Sequence, residues 1–163
     1  MRHPDGSPWW EVMLGDMITS SLRITQVAPD IYPLSVPHLG ADDEAVAAAV
    51  ARLGRPLDGQ HETLLRFANG WEDGFQSGDL LSTDELGQGP PWAHANQCLD
   101  VFYEEGGSDG WPPRDELCIL HASAYDTDVM VLWLGGTVTE GGHLSCTSMA
   151  RSLVAGRTST SGG

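Results

Sequence analysis

Residues 41–86 read ADDEAVAAAVARLGRPLDGQHETLLRFANGWEDGFQSGDLLSTDEL, and this stretch decides the fold that the sequence predicts. A first helix is expected from Asp42 or Asp43, because an aspartate at that position accepts hydrogen bonds from the free amides of the first turn. Gly54 suits a left-handed C-terminal cap, and Pro56 prevents the helix from continuing. The apolar face of this helix recurs at helical spacing, at Val46, Ala49, Val50 and Leu53.

A second helix is predicted to follow, with Asp58 as its N-terminal cap. His61 lies one turn before the apolar residues of this helix, which are Leu64, Leu65, Phe67 and Ala68. Asn69-Gly70 should end the helix because both residues tolerate a positive φ. A glycine-rich turn then leads to a short apolar strand at residues 80–81, and residues 82–85 (STDE) are expected to start a further helix.

The rest of the chain is predicted to alternate helices, strands and loops. A first helix starts near Pro8, and its apolar stripe consists of Trp9, Trp10, Met13, Leu14, Met17 and Ile18. Three prolines make residues 28–40 a loop. In chain order, the further expected elements are a strand at 22–27, a helix at 92–103, an acidic loop at 104–114, strands at 116–122, 129–134 and 137–139, and a helix at 148–155.

The succession of elements in residues 41–86 resembles the SUKH superfamily, which includes SMI–KNR type cell-wall regulators and many bacterial immunity proteins. The chain departs from the family pattern at residues 58–61, where an aromatic residue is more usual, and in a long insert at residues 87–114. These departures leave the subfamily open. The matching residues are Leu53-Gly54, Pro56-Leu57, Leu64, Phe67, Asn69-Gly70, Leu80-Leu81-Ser82 and Glu85-Leu86.

The predicted elements indicate an α+β fold with a central, largely antiparallel sheet and helices packed beside it, which agrees with the SUKH resemblance. A length of 163 residues fits one domain. We expect a single SUKH-like domain over residues 1–156, followed by a small polar tail at residues 157–163 that should be mobile.

Acidic residues dominate the charge of the chain, with 23 acids against 8 bases and a formal net charge of −15. All eight bases are arginine, which is typical of a GC-rich bacterial genome. Such a field repels nucleic acids and anionic membranes, and it attracts basic protein partners. The simpler interpretation is that the acidity only keeps the protein soluble.

Cysteine number and hydropathy indicate the compartment. Three cysteines, an odd number, argue against a disulfide framework. The first residues, Arg2-His3-Pro4-Asp5, are not followed by the apolar segment of a signal peptide. No run approaches the roughly 20 apolar residues that a membrane helix needs. We therefore expect a cytoplasmic protein without a membrane span.

Four histidine and cysteine residues could in principle hold zinc, because Cys118, His121, His143 and Cys146 supply the nitrogen and sulfur donors that zinc prefers. However, Cys118 and His121 are three residues apart on a predicted strand, which should place them on opposite faces of the sheet. Zinc binding is therefore the less favoured interpretation. The cysteines, Cys98 included, are expected to be small core residues.

Neither a catalytic residue nor a cofactor is predicted. No local signature frames a cysteine nucleophile with a histidine base, and the adjacent carboxylates Glu72 and Asp73 rarely face one substrate. Trp71 is expected to be half-buried at the rim of the sheet, and Trp111 either covers the core or contacts a partner. The candidate partner-binding residues are Trp71, Glu72, Asp73, Glu104, Glu105, Asp109 and Trp111.

For function, the resemblance implies a non-catalytic protein that binds a cognate toxin and neutralises it by occlusion. The acidic charge favours a basic toxin domain, such as a nuclease. One alternative is a regulatory or scaffold protein of the SMI–KNR type that organises other proteins. A second alternative is a zinc-dependent or Cys/His-dependent enzyme. The sequence leaves the oligomeric state and the identity of the partner open.

Overall fold

The structure, a computed structural model, describes residues 9–75, 78–106, 110–135 and 146–148, with side chains except at residues 9, 10, 75 and 146–148. Its helices are α1 (Trp9–Val27), α2 (Asp43–Leu53), α3 (Gly59–Phe67) and α4 (Pro90–Glu104), and a short 3₁₀ turn spans Arg114–Glu116. Its strands are β1 (Trp71–Phe75), β2 (Gly78–Leu80), β3 (Leu117–Ala122), β4 (Val129–Trp133) and β5 (Cys146–Ser148).

The five strands form one antiparallel sheet in the order β1-β2-β3-β4-β5. The central strand β3 is buried along its whole length and lies between β2 and β4. Helix α4 packs against β3, and α1 packs against α3. The predicted α+β class, with a largely antiparallel sheet and helices beside it, is confirmed.

Two clusters of buried apolar side chains hold the helices on the sheet. The larger cluster joins α2, α3 and α4 to β3 and β4 through residues that include Ala49, Leu65, Leu99, Ile119 and Val131. The smaller cluster joins α1 and α3 to β1 and β2 through Leu14, Leu64, Ala68, Trp71 and Leu80. The successive residues Leu80 and Leu81 belong to different clusters. Since side chains alternate along an extended chain, α1 and α4 lie on opposite faces of the sheet.

Three predicted helix ends are confirmed, namely both ends of α2 and the start of α3, and a single residue determines each of them. Asp42 caps α2 by accepting a hydrogen bond from the amide of Ala45 at 2.9 Å, and Gly54 ends the helix with a φ of 65°. Asp58 caps α3, where its Oδ1 accepts a hydrogen bond from the amide of Gln60 at 2.9 Å. Capping depends on residues within one turn, so the sequence alone was sufficient.

The helix predicted at residues 92–103 and the strands predicted at 116–122 and 129–134 are also confirmed, as α4, β3 and β4. Helix α4 starts two residues earlier than expected because Pro90 and Pro91 suit its first turn. Its buried residues are Pro91, Ala95, Leu99 and Phe102.

The strand expected at residues 22–27 is wrong, since α1 continues without a break to Val27. Residues such as Ile24 and Val27 favour strands locally. However, an existing helix gains one backbone hydrogen bond for each residue added to it. Buried Leu14 packs α1 against β1 and β2. The last turns of α1 extend from there toward solvent, and Val27 is 86% exposed.

The glycine-rich turn predicted after α3 is instead a β-hairpin, formed by β1 and β2. Helix α3 ends at Phe67, earlier than Asn69-Gly70, because Ala68 is extended and pairs with Leu39. Gly70, with a φ of 91°, then turns the chain into β1. Phe67 was expected on the apolar side of α3 but is 45% exposed, because it lies beside the face that carries the buried leucines.

Residues 82–85 form a closed turn instead of the predicted helix. The amide and the hydroxyl of Ser82 both donate to Oε2 of Glu85, at 2.9 and 2.8 Å. The amide of Leu86 bonds back to the carbonyl of Ser82 at 3.1 Å. Gly87, with a φ of 85°, then ends the turn. Ser82 and Glu85 therefore form hydrogen bonds typical of a helix N-terminus, but the chain makes only one turn before it leaves the helical conformation.

Some expected elements lie outside the described residues. These are the strand at 137–139, the tail at 157–163 and residues 149–155 of the last predicted helix. That helix was expected to begin at Ser148, which is wrong, because Ser148 pairs with Met130 as part of β5.

Candidate protein-binding surface

Exposed apolar side chains are concentrated at the end of α1 and in the loop that follows it. Clusters of exposed apolar side chains on a protein mark sites of interaction, so these residues are the first candidates for a partner contact. We call them the 22–39 surface. Among the described residues, this surface contains eight of the thirteen large hydrophobic residues that are exposed, namely Leu22, Ile24, Val27, Ile31, Tyr32, Leu34, Val36 and Leu39.

A groove of about 1110 Å³ lies next to the 22–39 surface, between α1, residues 31–33 and the first hairpin. Met13, Met17 and Ile24 line it from α1, and Trp71 lines it from the sheet. Small-molecule sites typically occupy about 300–1,000 Å³, so this groove is larger than a small ligand requires. Its size suits a segment of another protein.

The loop of residues 28–40 is attached along the outer edge of β1. The indole Nε1 of Trp71 donates to the hydroxyl of Ser35 at 2.9 Å, and that hydroxyl donates to the carbonyl of Glu72. The amide of His38 donates to the carbonyl of Gly70 at 3.0 Å. An edge strand would otherwise leave such backbone groups free. The loop is thereby fixed in position while its apolar side chains remain exposed.

Carboxylates lie at the rim of the groove. Asp16 of α1 and Asp73 of β1 both line it and are both exposed, and Glu72 beside Asp73 is exposed as well. Asp73 has a left-handed backbone with a φ of 52°, and its amide donates to Oδ1 of Asp79 at 2.8 Å. Aspartate tolerates this conformation better than most residues do. The structure therefore brings one predicted site residue, Asp73, to the groove and places a second, Glu72, exposed beside it.

Trp71 was expected to be half-buried at the rim of the sheet, which is wrong, because only 2% of its surface is exposed. Its indole belongs to the smaller core cluster and donates a hydrogen bond to Ser35. Gly74 allows the indole to pack closely, since a Cβ at that position would lie 2.5 Å from Cγ of Trp71. Trp71 therefore forms the base of the groove and supports the loop.

The remaining predicted site residues lie elsewhere. Glu104 and Glu105 are exposed at the C-terminal end of α4, the helix that packs against the central strand. Trp111 is half-buried, with its ring centroid 4.7 Å from that of Phe102. Of the two roles considered for Trp111, the contact with Phe102 favours a cover over the core. Asp109 lies outside the described residues.

The prediction that Cys118 and His121 point to opposite faces of the sheet is wrong, because β3 contains a bulge. Cys118 pairs with Leu132 and His121 pairs with Met130, and the register shifts between Ile119 and His121. Residues two apart on a strand share one face, so Leu132 and Met130 point to the same side. Their partners Cys118 and His121 therefore share a face as well, since a bulge adds one residue to the strand.

This shared face does not assemble a metal centre from residues that the structure describes. In that part of the chain, no group of three or more histidine, cysteine or carboxylate side chains could hold an ion. His143 and the side chain of Cys146, the other two potential ligands, lie outside it. Burial raises the pKa of the Cys118 thiol, although the nearby Arg55 guanidinium acts in the opposite direction. The thiol is therefore protonated at neutral pH and lies in the core.

A cysteine and a histidine do meet on α4, where Sγ of Cys98 lies 3.6 Å from Nε2 of His94. The same Nε2 lies 3.2 Å from the carbonyl oxygen of Asp126. If this nitrogen donates its proton to that carbonyl, it has no lone pair with which to accept the thiol proton. Burial and the charge of Asp126 both raise the pKa of the Cys98 thiol. A catalytic cysteine requires the opposite shift, so the pair lacks the features of an activated nucleophile.

Sequence reasoning missed the 22–39 surface, although a signal for it was present. Apolar residues in a loop are normally few, yet six of them precede, separate or follow Pro29, Pro33 and Pro37. A loop with this composition either packs into the core or presents its side chains to a partner. The six apolar residues are Ala28, Ile31, Tyr32, Leu34, Val36 and Leu39.

Comparison of the chain with protein-family models, with curated proteins and with solved structures gives no match. The SUKH resemblance therefore stays a prediction. Within the described residues, none of the helices has the length and apolar character needed to cross a membrane.

Proposed function

We propose that this chain is a non-catalytic, cytoplasmic protein-binding domain that neutralises a cognate toxin by covering the toxin's functional surface. The proposal adopts the function that the SUKH resemblance implies and assigns the contact to the 22–39 surface and the adjacent groove. Glu72 and Asp73 belong to this contact as rim residues. Glu104, Glu105 and Trp111 are not needed for it.

The observation that carries the proposal is the exposure of the 22–39 surface. Ile31 is 70% exposed and Leu39 is 94% exposed, although the loop that carries them is bonded to β1 at Ser35 and His38. A rigid loop with exposed apolar side chains loses little conformational entropy when it binds. Desolvation of these side chains would supply most of the favourable free energy of binding.

Charge supports a basic partner. The chain carries a net charge of −15, and a field of this sign accelerates encounters with basic proteins at low salt. Occlusion needs no chemistry from the chain, since a bound protein blocks a toxin site by its volume alone. The raised pKa values of the Cys98 and Cys118 thiols agree with a non-catalytic role.

Growth rescue tests the proposal. Co-expression of the chain with a toxin domain encoded by a neighbouring gene should restore the growth of cells that the toxin domain alone inhibits. The variant Ile24→Arg places a charge on the 22–39 surface and should abolish rescue. The matched control is Val101→Arg on α4, because Val101 is similarly exposed, at 45% against 50% for Ile24. Failure of the unmodified chain to rescue growth and to bind any encoded neighbour would overturn the proposal.

A further inference from the structure

We propose that the groove receives an amphipathic α-helix of the partner protein, with an apolar stripe against α1 and with arginine or lysine residues along its flank. This inference rests on the proposed function and specifies the chemical class of the segment that is bound. Four features of the groove support it: its length, the hydrogen bonding of the backbone groups around it, the side chains that line it, and its charge.

The length of the groove fits a helix of about three turns. One face of α1 lines it from Val12 to Ile24. These twelve residue steps correspond to about 18 Å along the helix axis, and a partner helix of roughly 12 residues has the same length. An apolar stripe on such a helix repeats every three or four residues, as the lining residues of α1 do.

The backbone around the groove favours a helix over an extended peptide. An extended peptide needs main-chain hydrogen bonds with its binding site, which a free strand edge usually provides. Here the Ser35 hydroxyl donates to the carbonyl of Glu72 in β1, and the His38 amide donates to the carbonyl of Gly70, immediately before β1. The backbone of α1 is internally bonded, and the hydroxyl of Ser20 also bonds back to the carbonyl of Asp16. A partner helix satisfies its own backbone groups and needs only side-chain contacts.

The lining side chains suit a variable apolar stripe. Met13 and Met17 lie at the centre of the α1 face, and methionine adapts its shape to different partners because its side chain is unbranched and flexible. Trp71 is already buried and forms the base on which this face rests. A helix with leucine, isoleucine or methionine on one face would bury the parts of the two methionines that are still exposed.

The charge near the groove favours a basic flank on that helix. Asp16 on α1 and Asp73 on β1 both line the groove. In residues 9–40 and 71–75, Arg23 is the only arginine or lysine, and the acidic residues are Glu11, Asp16, Asp30, Glu72 and Asp73. An arginine or lysine beside the apolar stripe would therefore meet carboxylates of the groove, and an acidic flank would be repelled.

Synthetic peptides of about 18 residues test this inference directly, since that length includes three turns and both ends. The first peptide has leucine at helical spacing and arginine along its flank. The second keeps the leucines and replaces each arginine by glutamate, and the third has the composition of the first in a scrambled order. Fluorescence anisotropy of labelled peptides with the full chain should show binding of the first peptide, at least about tenfold tighter than binding of either of the others.

Two variants locate the binding site. Ile24→Arg should weaken binding of the basic peptide by about tenfold or more, whereas the control Val101→Arg should change it less than about twofold. The double variant Asp16→Asn with Asp73→Asn should weaken binding and reduce its dependence on salt. Asparagine also tolerates the left-handed backbone at position 73. Circular dichroism and thermal unfolding verify that each variant is folded.

The outcomes separate this inference from the proposed function. If the basic peptide binds no tighter than the scrambled one, or binds Ile24→Arg unchanged, the helix-in-groove inference is wrong. If in addition the chain still rescues growth from its toxin, the proposed function stands and the contact lies elsewhere. If the peptide binds as expected but no toxin is neutralised, the groove inference stands and the proposed function fails.

Discussion

The indole Nε1 of Trp71 donates a hydrogen bond to the hydroxyl of Ser35, 2.9 Å away, and that hydroxyl donates to the carbonyl of Glu72. A buried residue of the edge strand is thus connected through one hydroxyl to the loop that carries most of the 22–39 surface. The connection explains how a proline-containing loop can keep apolar side chains in solvent without collapsing onto the core. Ser35 is therefore the side chain that ties the loop both to the buried indole and to the backbone of β1.

Ser35→Ala should therefore destabilise the protein and loosen the loop. The substitution leaves the buried indole N–H of Trp71 without its partner, which costs about 1–3 kcal/mol. Urea unfolding measures the stability, and hydrogen exchange at the His38 amide reports on the loop. Ser20→Ala is the control, because the exposed Ser20 hydroxyl bonds only within its own helix. Its effect should stay within about 0.5 kcal/mol. Unchanged exchange at His38 in Ser35→Ala would contradict the anchoring role.

Trp71 should behave as a core residue in stability measurements. With 2% of its surface exposed, Trp71→Ala should lower the free energy of unfolding by about 3–5 kcal/mol. Trp71→Phe keeps much of the apolar contact and loses the bond to Ser35, so its cost should be smaller, about 1–3 kcal/mol. Urea unfolding measures the loss in free energy of unfolding for both variants. A loss below about 1 kcal/mol for Trp71→Ala would mean that the indole does not support the core.

The local part of this fold was predictable from sequence, and the non-local part was not. Asp42, Gly54 and Asp58 act within one helical turn, so their positions alone predicted both ends of α2 and the start of α3. The hairpin of β1 and β2 depends on the pairing of Trp71 with Leu80, which no residue near Trp71 specifies. The glycines between them indicated only that the chain turns.

In the candidate site, too, local features were predictable from sequence and non-local features were not. Glu72 and Asp73 were both predicted as partner contacts; Asp73 lines the groove, and Glu72 is exposed beside it. The groove itself depends on the full length of α1, whose last turns were concealed by the strand-like residues at 22–27. The shared face of Cys118 and His121 depends on a bulge in β3, and strand alternation alone predicts the opposite arrangement. Bulges arise from pairing with the neighbouring strand, so the sequence of β3 by itself gave no warning.

His61 should make the protein less stable in mild acid. The side chain of His61 is fully buried, and neither ring nitrogen has a hydrogen-bond partner among the described residues. Burial lowers the pKa of His61 from 6.5 to about 4, although the charge of Asp58 acts in the opposite direction. Between these two pKa values, the unfolded chain binds a proton that the folded chain excludes, so stability falls as the pH falls from about 6.5 toward 4. Between pH 7 and pH 5, the loss from this group is about 2 kcal/mol.

Urea unfolding at several pH values tests the role of His61. His61→Leu has no titrating group and should lack the part of the pH dependence that His61 causes. Gln60→Leu is the control, because it adds leucine to the same helix at a partly exposed position and should keep the dependence of the unmodified chain. If His61→Leu loses as much stability between pH 7 and pH 5 as the unmodified chain does, another group is responsible.

The exposed residues of the 22–39 surface should be replaceable without loss of stability, because apolar side chains contribute to folding only through the area that they bury. Ile31 is 70% exposed and Tyr32 is 56% exposed. The double variant Ile31→Ser with Tyr32→Ser should therefore stay within about 1 kcal/mol of the unmodified chain in urea unfolding, while it binds less of a hydrophobic dye and less of the partner. Tyr125→Ser is the control, since Tyr125 is 96% exposed outside this surface and should leave partner binding unchanged. A stability loss above about 2 kcal/mol in the double variant would show that the two side chains serve the core, and the 22–39 surface would then no longer qualify as a site kept exposed for binding.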